Sequence, residues 1–165
     1  ANGYPREALR ARLGEAGLLT RSGDYTQSSL LLADVLRQLA SLDDVDLQIT
    51  ATVMHANLRA DTGDHPSALA GYRQWLELAL RHDIQEDICV ARIELARTEI
   101  NLGRFAEARG HLAADSRCGQ PHHLTSRGIV EGLLLIEEGQ PAQALVRYRA
   151  MLRVAQQNRQ ASRVS

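Results

Sequence analysis

The sequence predicts an all-α protein made of about four antiparallel helix hairpins. Three observations lead there. The composition favours helix formers, apolar residues recur at helical spacing, and one turn-like octapeptide is written four times.

Hydrophobic residues make up 44% of the 165-residue chain, yet aromatics only 4%. The apolar share is mostly Leu and Ala, whereas β-rich domains favour Val, Ile, Thr and aromatics. The length suits one domain that buries about 70% of its surface on folding.

The octapeptide is clearest at residues 101–108, NLGRFAEA. Its Gly103 has counterparts in Gly23 (RSGDYTQS), Gly63 (DTGDHPSA) and Gly139 (EEGQPAQA), at spacings of 40, 40 and 36 residues. Seven residues before each glycine stands a small residue: Ala16, Ala56, Ala96 and Gly132. Five after it stands another: Ser28, Ala68, Ala108 and Ala144. Nine after it stands a large one: Leu32, Tyr72, Leu112 and Tyr148. Two helices in a tight hairpin need small side chains where their axes come closest. The glycine fits a left-handed C-terminal cap, and Pro66 and Pro141 fall where a second helix begins.

The elements follow in order. Four units are expected at about 5–42, 44–82, 84–115 and 122–157, with a polar tail at 158–165, the whole forming one domain. Leu47, Ala51, Met54 and Leu58 mark a first helix, and Ala68, Leu69, Tyr72, Trp75, Leu76 and Ala79 an amphipathic second one. SLDDVD (41–46) and RHDIQED (81–87) are acidic, cap-like breaks. SRCGQPHH (116–123) breaks the third unit, where Gly119 and Pro121 forbid a continuous helix.

These residues resemble the tetratricopeptide repeat (TPR). They are closest to the long variant of roughly forty residues in bacterial signalling proteins of the MalT and Rap/PlcR kinds. The resemblance spans about residues 5–157. Two positions depart from it. Arg12, Thr52, Arg92 and Gly128 stand where a bulky residue is expected, and Val35, Trp75, Asp115 and Met151 where a small one is. The resemblance implies a right-handed superhelical solenoid whose first helices line a concave groove that holds a protein or peptide segment.

Equivalent groove positions are Met54, Asn57 and Asp61 in the second unit and Glu94, Arg97 and Asn101 in the third. The fourth offers Val130, Leu133 and Glu137. An Asn amide both donates to and accepts from a peptide backbone, and an Arg clamps a carboxylate. Chaperone-tail binding of the carboxylate-clamp kind is not expected, because Val53 and Val90 occupy positions where Lys would help.

Other functions find less support. Net charge is −1, which provides no global field towards nucleic acid or a membrane. All 19 basic residues are Arg, which is read as codon composition. Arg147, Tyr148, Arg149 and Arg153 make a small basic patch, narrower than a nucleic-acid surface. His111, Cys118, His122 and His123 lie close in sequence, but their spacing matches no common zinc pattern. Cys89, near His82 and Asp83, reads as a small packing residue rather than a nucleophile. Two cysteines are too few for a disulfide framework, so a reducing cytoplasm is expected. No catalytic residue, metal or cofactor is expected.

The last helix carries Leu145, Tyr148, Met151, Leu152 and Ala155, more apolar surface than one neighbour covers. Further repeats, a partner or a second copy are expected there, a homodimer being one form. The chain begins with Ala, so it is read as a piece of a larger protein. The expected function is a non-catalytic interaction module. The alternative is a ligand-sensing domain that controls an attached DNA-binding domain or nucleotide cyclase such as a diguanylate cyclase.

Overall fold

The computed structural model describes residues 5–114 and 118–161, with side chains for 6–114 and 118–156. The described residues form eight α-helices and no strand. They are α1 (Pro5–Ser22), α2 (Tyr25–Leu39), α3 (Val45–Asp61), α4 (His65–Arg81), α5 (Gln85–Asn101), α6 (Phe105–Ala113), α7 (Pro121–Glu137) and α8 (Pro141–Ala161). Each odd-numbered helix packs on the even-numbered helix that follows it. None is long and apolar enough to cross a membrane.

One turn joins each pair. Gly23, Gly63, Gly103 and Gly139 adopt φ of +85°, +80°, +71° and +75°, a region that glycine enters without a Cβ penalty. The hydrogen bonds repeat with the conformation. Gly103 N donates to Ile100 O at 2.9 Å and Arg104 N to Glu99 O at 2.8 Å. The same two bonds recur from Gly23 and Asp24, Gly63 and Asp64, and Gly139 and Gln140. This is the Schellman arrangement, which satisfies carbonyls that a helix end otherwise leaves unpaired.

The chain divides into two compact units, Ala1–His82 and Asp83–Ser165. In the first, Leu9, Leu13 and Ala16 of α1 meet Leu32, Val35 and Leu39 of α2 and Leu47, Ala51 and Leu58 of α3. Ser28, fully buried, donates from Oγ to Ala16 O at 3.0 Å, so the small pair of this hairpin is also hydrogen-bonded. Ala56 and Ala68 are buried in the second hairpin. A Cβ added to Gly71 would lie 2.8 Å from Ala56 Cβ. Tyr72 and Trp75 are buried with ring centroids 6.4 Å apart, as expected of second-helix core residues.

In the second unit, Ile93, Ala96 and Ile100 of α5 pack with Ala108 and Leu112 of α6 and Val130 and Leu134 of α7, with Phe105 against them. Gly128 and Gly132 of α7 leave room for α8. A Cβ on Gly128 would collide with Met151 Sδ, and one on Gly132 would fall 2.5 Å from Tyr148 Cζ. The two departures from the repeat pattern in this hairpin are therefore one exchange: Met151 on the second helix fills the space left by Gly128 on the first.

The acidic breaks differ from each other. Asp44 caps α3, accepting from Leu47 N at 3.1 Å, as Asp24 and Asp64 cap α2 and α4. The residue at the start of α5 is Ile84, with no side-chain cap bond; Asp83 instead takes a left-handed φ of 52° to turn the chain. Pro121 opens α7. Asp115 and positions 116 and 117 of the expected break lie outside the described residues. Helix α8 continues through Ala161, and 162–165 lie outside the described residues.

The two cysteines correct the expectation. Cys89 is no lone packing residue: it is joined to Cys118, with Cα atoms 5.5 Å apart. The bond ties α5 to the segment that enters α7.

Candidate functional site

The residues expected on the first-helix faces fall into two groups. Asn57, Asp61, Arg97, Asn101 and Glu137 are exposed. Met54 and Leu133 are half-buried against the cores of their units. Val130, assigned to the same face by register, is 1% exposed and belongs to the core. Glu94 is half-buried and sits 3.6 Å from Arg97 Nε, one turn along α5. Asn57 Oδ1 accepts from Tyr72 Oη at 2.7 Å. That bond occupies the amide oxygen, which leaves the NH2 group of the exposed side chain as the donor.

Two further features lie in the second unit. A cleft of about 340 Å³ lies between α6 and α7, with Arg147 of α8 at its edge, and is lined by Leu112, Leu134 and Leu135 together with charged residues. Arg109 pairs with Glu138 across it, and Glu131 takes both Arg127 and Arg147. Arg147 is thus committed to a carboxylate, which reduces the basic patch expected around Tyr148.

The second feature lies where α5 and α7 begin, on helices that pack together. Glu86 Oε1 lies 2.9 Å from His122 Nε2 and 3.0 Å from His123 Nε2. The imidazole of His122 above all, and then that of His123, hold the Glu86 carboxyl below its ordinary pKa. The rings of His122 and His123 stack at 4.0 Å. His123 is 4% exposed in its side chain, and its Nδ1 has no hydrogen-bond partner among the described residues. It borders a small cavity of about 20 Å³ whose wall also includes Cys89, Cys118 and His111. Of the four residues that the sequence grouped, Cys118 is therefore bonded to Cys89, while His122 and His123 turn to Glu86. The sequence reading missed Glu86. It stands 36 residues before His122, in an acidic first turn that reads as ordinary helix-start chemistry.

No family model matches the chain, and no curated protein matches it in sequence.

Proposed function

We propose that the chain is a non-catalytic interaction module, a TPR-like solenoid of four hairpins that recognises a protein or peptide segment along its first-helix faces. The observation that carries this reading is the exposed polar pairs at repeat-related positions: Asn57 and Asp61 on α3, Arg97 and Asn101 on α5. Nothing in the packing of the cores requires these side chains to be polar beyond the need to face water. Their chemistry suits an extended ligand, with an oriented amide donor at Asn57 and a guanidinium at Arg97. The four identical glycine turns, flanked by buried small residues, support the resemblance to the TPR pattern.

Selection from a displayed random-peptide library tests the reading. Peptides that bind the wild type are expected to lose Asn57→Ala/Arg97→Ala while far-ultraviolet circular dichroism stays unchanged. Equal binding to both proteins would remove the site, and no enrichment over several rounds would remove the function.

Signalling, a bacterial source and the attached effector rest on the resemblance alone. The cysteine count was the ground for a cytoplasmic location, and the Cys89–Cys118 bond removes it, because disulfides persist in oxidising compartments.

A further inference from the structure

We propose that Glu86, His122 and His123 form a binding site for a divalent transition-metal ion, with Zn²⁺ the best fit. The inference is independent of the interaction reading. It rests on a carboxylate and two imidazoles that the packing of α5 on α7 brings together.

Each residue offers one ligand atom, and these atoms all lie within 4.8 Å of one another. Zinc bonds of about 2.0–2.1 Å in a tetrahedral site place ligand atoms roughly 3.3 Å apart. The Glu86–His122 and Glu86–His123 separations of 2.9 and 3.0 Å need to open by only a few tenths of an ångström. Without an ion, both Nε2 atoms point at one carboxylate oxygen, so each must carry its hydrogen there. An ion replaces those two hydrogens and takes the lone pairs.

The change of tautomer is most demanding at His123. Metal at Nε2 puts the hydrogen on Nδ1, which is buried and has no partner among the described residues. The adjoining cavity of about 20 Å³ answers this need. It has room for one water, which takes at least about 10–15 Å³, and that water accepts from Nδ1–H. Metal-bound imidazoles characteristically donate their second N–H in this way.

The donor set selects the metal. Two imidazoles with one carboxylate suit Zn²⁺ and its neighbours, whereas Ca²⁺ and Mg²⁺ require oxygen ligands. The positive ends of two helices oppose a cation here, and the carboxylates of Glu86 and Asp87 in the first turn of α5 offset them. His123 is held by burial, while Glu86 and His122 are 60% and 62% exposed. A fourth position therefore opens to solvent, and water completes the coordination. The bound ion joins the start of α5 to the start of α7 beside the disulfide.

Titration of the untagged 165-residue chain with ZnCl2, under non-reducing conditions, tests the proposal. One equivalent is expected to bind and raise the melting temperature, and Co²⁺ to give a four-coordinate visible spectrum. Second-shell changes alone weaken metal binding by about 10–100-fold, so loss of a direct ligand in His122→Ala or Glu86→Gln should weaken it at least that far. His122 is exposed, so its variant keeps the metal-free stability and separates binding from folding. His82→Ala should bind as the wild type does. The proposal is overturned by the absence of saturable binding, by unchanged affinity in His122→Ala, or by binding that needs reductant and disappears in Cys89→Ser/Cys118→Ser.

Discussion

The hydroxyl of Tyr72 donates to Asn57 Oδ1 at 2.7 Å, from a buried ring on α4 to an exposed amide on α3. One hydrogen bond thus ties the core of a hairpin to the face proposed for recognition. Tyr72→Phe keeps the ring and removes the bond. It should cost about 0.5–1.5 kcal/mol in urea denaturation and weaken selected peptides by freeing the Asn57 amide to rotate. Tyr72→Ala empties the core and should cost about 3–5 kcal/mol. Equal affinity for peptide in wild type and Tyr72→Phe would show that the amide needs no orientation.

Gly71 sits in α4 against Ala56, at the closest approach of the second hairpin. Alanine is better than glycine in a helix by about 1 kcal/mol, but here its Cβ would meet Ala56 Cβ at 2.8 Å and the Ala56 backbone at 3.4 Å. No flexible side-chain end can yield, so the helices must part. Gly71→Ala should destabilise by about 1–3 kcal/mol. Gly71→Ala/Ala56→Gly should recover part of that loss, and a cycle with no coupling would contradict the contact.

Gly103 and Gly110 make a pair of opposite sign. A Cβ meets nothing within 4 Å at either, but only Gly103 has a left-handed φ, +71°. Gly103→Ala should lose about 1–2 kcal/mol for conformation alone. Gly110→Ala, within α6, should gain up to about 1 kcal/mol. Thermal melts of the two variants beside the wild type decide it, and melting shifts of the same sign would refute the turn assignment.

His55 gives a pH dependence. Burial first, and then the charge of Arg59, lower its pKa below the ordinary 6.5, and its Nε2 is buried with no hydrogen-bond partner among the described residues. Between the two pKa values the unfolded chain binds a proton that the folded chain refuses. Stability is therefore full above 6.5 and falls as the pH drops through it towards the folded value. His55→Gln should flatten that part of the profile. Denaturation midpoints at pH values of about 7.5 and 5.5 measure it. A fall of equal size in both proteins would assign the effect to other groups.

The turns were legible because they are local. A left-handed glycine, a small residue on each side and a large one beyond are set by a single hairpin's geometry, and the four copies confirm one another in sequence. The Gly128–Met151 exchange was visible only as two departures, since each residue was compared with a pattern and not with its partner across the hairpin. The Cys89–Cys118 bond and the Glu86 contact were invisible for a related reason. Both depend on how α5 packs against the segment entering α7, through contacts between residues 29 and 36 positions apart that no local pattern encodes. Asn57 and Arg97 were legible as exposed polar positions, while Val130 was lost to the core because it packs with Ile93, Ala96 and Ile100 of α5, a contact between hairpins that the register within one helix does not reveal.

The bond between Cys89 and Cys118 has a consequence for damage. The backbone from one to the other, with all of α6 inside it, is a covalent ring closed through sulfur. A protease that cuts within that ring produces no fragment able to leave. The severed ends stay tethered at Cys89 and Cys118, and the cut shows as two pieces only once the sulfurs have been reduced.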